Sequence, residues 1–212
     1  MTTMALAWWG EYLARGAPPP DPFRARSALD AADYASHRAR SAAAVDGPSE
    51  VAPGLWVGSL DDAEPDELAP RGITTVVTAL NIRGLDSMYP KASGVAHVIL
   101  PVEDEPDADI GAHFAAAHAA IRSALAARAA GAGGGVLVHC MQGRSRSVAL
   151  VAAHLVAEGS TLDAAAARVV AARAVASPNA GFVRRLRAFE AHCRAGRDPA
   201  EFGRAPPPPP PR

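Results

Sequence analysis

The chain has 212 residues, with 21 Lys and Arg against 22 Asp and Glu and a formal net charge of −1. That balance gives no global basic signature for nucleic-acid binding, and no apolar run reaches the length of a membrane span. Two cysteines do not make a disulfide framework.

Residues 1–50 read as an N-terminal extension, partly disordered or helical. Met1 to Trp9 lacks the basic start and long apolar core of a secretory signal. Glu11, Asp21, Asp30 and Asp33 argue against an organelle transit peptide but leave organelle targeting open. Ala17-Pro18-Pro19-Pro20-Asp21-Pro22 is a stiff extended break. Ser27 to Val45 is alanine-rich and helix-forming, and Arg38 and Arg40 with Val45 beyond them form a faint kinase-docking pattern.

Within residues 51–195, strands are expected at 55–58, 73–79, 95–100 and 135–140. Helices are expected near 64–70, 110–130, 145–158, 161–174 and 179–194. The alternation of apolar strands and amphipathic helices indicates an α/β domain, with a central mixed, mostly parallel sheet flanked by helices on both faces. Gly131 to Gly135 reads as a flexible helix-to-strand turn. Residues 196–212 read as a proline-rich disordered tail. Pro206 to Pro211 favours polyproline II and offers a ligand for SH3, WW or profilin-like domains, although compositional drift is the plainer reading of so alanine- and proline-rich a chain.

The chemistry concentrates in His139-Cys140-Met141-Gln142-Gly143-Arg144-Ser145-Arg146-Ser147, between the expected strand Gly135-Val136-Leu137-Val138 and an apolar helix. A loop opening a helix directs backbone N–H groups and the positive end of the helix dipole at its centre. Such a loop suits a tetrahedral dianion and holds its cysteine as thiolate. Cys140 is then the nucleophile toward phosphorus. The N–H groups of Met141 to Arg146, with Gly143 relieving crowding at the tight turn, form an anion nest. Arg146 adds a planar fork to two phosphate oxygens. Ser147 donates to the cysteine sulfur, and His139 orients the loop rather than acting as a base. Phosphate charge is met by Arg146 and backbone dipoles, so neither metal nor cofactor is called for. Departure of an alkoxide or phenolate needs a general acid. Glu103, Asp104, Glu105, Asp107 and Asp109 crowd one loop after the expected strand Ala96 to Leu100.

The Cys140–Arg146–Ser147 pattern resembles the protein tyrosine phosphatase superfamily, and Ser145 before Arg146 resembles its dual-specificity branch. Leu55-Trp56-Val57-Gly58-Ser59 is similar to the opening strand of that branch. Pro101-Val102-Glu103-Asp104 with Ala108-Asp109-Ile110 and Phe114 is similar to the general-acid loop and helix of mitogen-activated-protein-kinase phosphatases. Ser177-Pro178-Asn179-Ala180-Gly181-Phe182 is similar to a later segment of the same enzymes and brings in Asn179 as a supporting residue. The resemblance implies a cysteine phosphatase fold over residues 51–195. It also implies Asp104 as the acid, with Asp107 next, whereas Asp109 by its position reads as a cap for a helix beginning near Ile110. The implied substrate is a phosphorylated protein, with a mitogen-activated protein kinase as one candidate. It is handled through a phosphocysteine in the cytoplasm, with nuclear access open. A chain too short for the pocket-deepening inserts of strict tyrosine phosphatases implies a shallow pocket that admits phosphoserine and phosphothreonine as well. Gln142 stands where Ala is usual, and Arg144 adds a second cation, which keeps a phosphoinositide substrate in view. RNA 5′-triphosphatase activity and phosphoprotein binding without turnover also stay open as functions for such a loop.

Overall fold

The computed structural model describes residues 47–203. The expected docking helix, the Ala17–Pro22 break and the polyproline run lie outside the described residues. Five strands form one sheet: β1 (Ser49–Ala52), β2 (Leu55–Gly58), β3 (Ile73–Thr78), β4 (Ala96–Ile99) and β5 (Gly135–His139). Their spatial order is β1-β2-β5-β3-β4. Only the β1–β2 pair is antiparallel, whereas β2 and β3 both run parallel to β5 and β4 runs parallel to β3. The central strand is β5, buried at every position, as an unbroken apolar run in a doubly covered parallel sheet should be.

Strand β1 is an addition to the expected elements. Pro53 and Gly54 punctuate the chain between β1 and β2, where Gly54 N–H donates to Glu50 Oε1 at 2.8 Å, so two four-residue strands close as a hairpin. Packing also extends past residue 195: Phe202 lies against Phe114 and Phe189 at ring-centroid distances of 5.9 and 5.0 Å.

The helices are α1 (Pro65–Leu68), α2 (Phe114–Ala129), α3 (Arg146–Ala157), α4 (Leu162–Ala172) and α5 (Ala180–Arg194). Helix α3 is buried from Arg146 through Val156. From Val148 to Ala153 it is apolar on all sides because α2, α4 and α5 surround it above the sheet. Leu55, Val57, Val77, Val136 and Val138 meet this helical layer together with Phe114, Phe182 and Phe189. The opposite sheet face carries a smaller cluster of Ala63, Leu68, Ile73, Val76, Tyr89 and Leu137. Both faces are therefore covered, but unequally: four long helices on one side, and α1 with short 3-10 turns on the other.

Two local expectations need correcting. The Gly131–Gly135 segment is a place of close backbone approach rather than only a flexible turn. Gly135 N–H donates to the Gly72 carbonyl at 2.7 Å, and a Cβ on Gly134 would lie 1.6 Å from that same oxygen. Asp109 does not cap the following helix with its side chain. That helix opens with a 3-10 turn, Ile110–His113, and the Asp109 carboxylate instead pairs with Arg185 at 3.0 Å. Among the described residues no helix is long and apolar enough to cross a membrane, and both cysteines are free.

Candidate active site

The parallel strands deliver their carboxyl ends to one edge of the sheet, the usual ligand side of such folds. Four loops meet there: Ser59 to Asp62 after β2, Ala79 onward after β3, Val102 to Asp109 after β4, and Cys140 to Ser145 after β5. Cys140 is only 2% exposed. Its Sγ lies 3.3 Å from Ser147 Oγ.

The loop after Cys140 is held from outside by its carbonyls. The carbonyl of Met141 accepts from Leu60 N–H at 3.3 Å and that of Arg144 from Ser177 N–H at 2.8 Å. The carbonyls of Gln142 and Gly143 accept from Arg173, at 3.4 and 2.7 Å. In a trans peptide the N–H of the next residue points opposite its neighbour's C=O. Carbonyls turned outward at 141 to 144 thus send the N–H groups of Gln142, Gly143, Arg144 and Ser145 inward. Gly143 has φ +64, and a Cβ there would meet the Gly58 carbonyl carbon and oxygen at 2.6 Å, so glycine is required at this turn.

Ser145 is the N-cap residue of α3, yet its side chain caps no helix N–H. Its Oγ donates instead to Asp104 Oδ1 at 2.5 Å. Asn179 Nδ2 donates to the same oxygen at 3.0 Å, while Asn179 Oδ1 caps α5 by accepting from Phe182 N–H at 3.0 Å. Asp104 Oδ2 is 3.6 Å from Arg146 Nε. The acid loop therefore rests on the phosphate loop through Asp104. Of the other expected carboxylates, Glu103 accepts from Asn81 Nδ2 at 3.0 Å, and Glu105 and Asp107 are exposed.

Arg146 is 8% exposed. Its Nη1 donates to the Val102 carbonyl at 3.3 Å, and its Nε is buried without a hydrogen-bond partner among the described residues. Its contact with Asp104 Oδ2 at 3.6 Å is an ion pair too long for a hydrogen bond, and an anion above Cys140 would supply the missing acceptor. Burial alone pushes the Cys140 thiol up. The Arg146 charge and the Ser147 hydrogen bonds outweigh both burial and the nearby Asp104 carboxylate, and hold the thiol below its ordinary value.

His139 is fully buried beneath the loop. Its Nδ1 faces the Cys140 carbonyl at 3.4 Å, and its Nε2 lies 2.7 Å from Thr78 Oγ1. A second histidine nitrogen, His97 Nε2, sits 2.7 Å from the same hydroxyl. Burial lowers His139 to about 4, so the ring is neutral at pH 7. With Nδ1–H donating to the carbonyl, Nε2 accepts from Thr78, and Thr78 in turn accepts from His97. The ring is thus fixed by hydrogen bonds and is not aimed at the sulfur.

All the expected residues of the loop, with Asp104 and Asn179, converge here; Gln142 and Arg144 are half-buried at its rim. Sequence reasoning missed Arg173, Asp62 and Thr78. Arg173 is 3% exposed. Besides the loop carbonyls it reaches Asp62 Oδ2 at 3.4 Å, the Gly47 carbonyl at 3.2 Å and Ser49 Oγ at 3.3 Å. Burial lowers the Arg173 guanidinium, opposed by the Asp62 carboxylate and the negative charge of a Cys140 thiolate. A single charge amid Val169-Val170-Ala171-Ala172-Arg173-Ala174-Val175-Ala176 was the available signal.

Comparison with known proteins agrees with this geometry. The family described as dual specificity phosphatase, catalytic domain, matches residues 55–196. Dual specificity phosphatase 28 of Homo sapiens is 38% identical over 157 residues, covering 71% of this chain and 84% of that protein. Dual specificity protein phosphatase 22 of Mus musculus is 33% identical over 147 residues, covering 69% of this chain and 75% of that protein. The crystal structure of human DUSP28 superposes with a TM-score of 0.63 at 36% identity, covering 71% of this chain and 97% of the other. A cysteine loop on an α/β sheet, matched over most of its length by these relatives, makes this chain a member of the dual-specificity protein phosphatase family.

Proposed function

We propose that residues 51–195 act as the catalytic domain and remove phosphate from protein phosphotyrosine, phosphoserine and phosphothreonine through a phosphocysteine. The observation that carries the mechanism is the meeting of Cys140, Ser147, Arg146 and Asp104 over one inward-turned set of N–H groups. In the first step the Cys140 thiolate attacks phosphorus, the S–P bond forms and the P–O bond to the substrate breaks. The leaving oxygen takes the proton of Asp104. Arg146 and the N–H groups of the loop hold the equatorial oxygens as charge redistributes. In the second step Asp104 accepts a proton from water, the water oxygen bonds to phosphorus, and the S–P bond breaks. Ser147 donates to the departing thiolate. Arg173 holds the nest in shape without touching substrate.

The substrate class is a phosphorylated protein. A phosphorylated mitogen-activated protein kinase is the candidate put forward, on the resemblance of Pro101–Asp104 and Ser177–Phe182 to phosphatases of those kinases. A reducing compartment, the cytoplasm with nuclear access, suits the required thiolate. Compositional drift stays the plainer reading of Pro206 to Pro211, with SH3, WW or profilin-like domains as the partner class such a run would fit.

The deciding experiment is hydrolysis of paired phosphotyrosine and phosphothreonine peptides in EDTA and reductant, beside Cys140→Ser. Turnover of both that vanishes in the variant is the expected result. Turnover of neither by folded protein, with release from an inositol lipid or a triphosphate-ended RNA, would replace the protein substrate. Phosphopeptide binding without turnover would indicate a binding module.

A further inference from the structure

We propose that His118, His154 and Glu158 form a binding site for a zinc-class divalent transition metal, away from the phosphate loop and joining α2 to α3. His154 Nδ1 and His118 Nδ1 face each other at 3.1 Å across the helix interface. Glu158, the C-cap of α3, lies one turn beyond His154, and its Oε1 is 3.8 Å from His118 Nε2. One donor atom from each residue fits within a 4.8 Å cluster. Tetrahedral zinc with bonds of about 2.0–2.1 Å to nitrogen sets its ligands about 3.3 Å apart. The two nitrogens already stand close to that separation.

The remaining ligand has room to close the gap. The Glu158 side chain is 49% exposed, against 13% for His118, so the carboxylate can swing onto an ion held by the two rings. The partly open side leaves a fourth position for water, the pattern of three protein ligands plus solvent.

The bare arrangement is a poor use of a helix interface. His154 is 4% exposed in a helix otherwise buried through apolar residues, and its ring nitrogen meets the other imidazole. Two neutral imidazoles meeting Nδ1 to Nδ1 share one proton, since one must donate and the other accept. A metal takes up both lone pairs. The displaced proton stays on its own ring, moving from Nδ1 to Nε2, so no acid or base is consumed. The charged groups facing the pair are Glu158, Arg122 and Asp198.

The site does not depend on the phosphatase reading. His154 lies eight residues along α3 from Arg146, or about 12 Å at the helical rise. Its ligands belong to the helical layer above the sheet.

The test uses the full chain carrying Cys140→Ser, so that the phosphate-loop thiolate cannot take the metal. Zinc chloride titrated by calorimetry is expected to bind one ion per chain. Cobalt(II) is expected to show tetrahedral visible absorption without a sulfur-to-cobalt band. Glu158→Gln should weaken zinc by at least about tenfold, since even outer-shell partners of a metal site are worth that much, and His118→Gln should abolish the site. Both residues reach solvent, so these variants fold even where His154→Gln does not. Absence of zinc binding by the parent chain, or equal zinc affinity in parent, Glu158→Gln and His118→Gln, overturns the proposal.

Discussion

The phosphate loop and the acid loop face each other but are built by opposite rules. The loop after Cys140 has no exposed position, and four successive carbonyls, Met141 to Arg144, are each bound by a different part of the scaffold or by Arg173. The acid loop is exposed at most positions from Glu103 to Asp109. It is joined to the phosphate loop chiefly through one carboxylate and the Val102 carbonyl. A group that stabilises developing charge must already be in position when the charge arrives. A group that delivers a proton and later removes one from water must admit substrate beneath it and then let product leave. In the proposed mechanism, the dense contacts lie under the anion, and the acid sits on the more exposed loop.

Breaking the densely held half should cost most. Cys140→Ser removes the nucleophile and is expected to lower turnover by on the order of 10⁴-fold or more, while the folded variant keeps phosphate binding; kcat and phosphate affinity together check this. Arg146→Lys keeps the charge and loses the planar fork, and kcat should fall by about 10²–10³-fold. On the exposed side, Asp104→Asn should lower kcat by about 10²-fold, most strongly for substrates with poor leaving groups. A series of aryl phosphates reads this out. The same leaving-group dependence in Asp107→Asn, with Asp104→Asn unaffected, would reassign the acid.

Two further changes sharpen the contrast without touching the reacting atoms. Arg173→Met leaves Asp62 with only the Ser59 N–H at 2.7 Å on its Oδ2 and removes the Arg173 donor from two loop carbonyls, and chemical denaturation should show a loss of about 3–5 kcal/mol, the range for breaking a buried ion pair. The loss should accompany a lower kcat, because the loop relaxes. The smallest effect is in pH. His139 falls from 6.5 to about 4 on folding, so between those values the unfolded chain binds more protons than the folded one. Stability from this ring is then complete above pH 6.5 and lost as pH falls toward 4, by at most about 3 kcal/mol. Denaturant midpoints across that interval check the sign.

The fold and the chemistry were legible in different degrees. Apolar runs at β2, β3, β4 and β5 and the helices between them follow from periodicity, and the loop at Cys140 follows from residue chemistry on a strand–loop–helix. Strand β1 was hidden because Ser49-Glu50-Val51-Ala52 is short and only one of its residues is buried. Its place depends on a hairpin partner and on Arg173, more than 100 residues away. Asp109 looked like a cap from spacing alone, but a tertiary ion pair with Arg185 claimed its carboxylate. Arg173 itself carries no local signature of its task. What it binds is set by the ends of β1, β2, β5 and α4 coming together, and no window of sequence contains them all.

The reach of Arg173 also bears on the order in which the protein comes into being. Its contacts to Gly47, Ser49 and Asp62 close separations of 126, 124 and 111 residues, and its contact to Gly143 closes one of 30. Contacts so distant along the chain carry a large loop-closure entropy and form slowly. During synthesis Cys140 leaves the ribosome before Arg173, so the anion nest cannot take its final shape until α4 has emerged and docked against the first strand. A chain made only as far as Cys140 therefore lacks the Arg173 contacts that hold the Gln142 and Gly143 carbonyls.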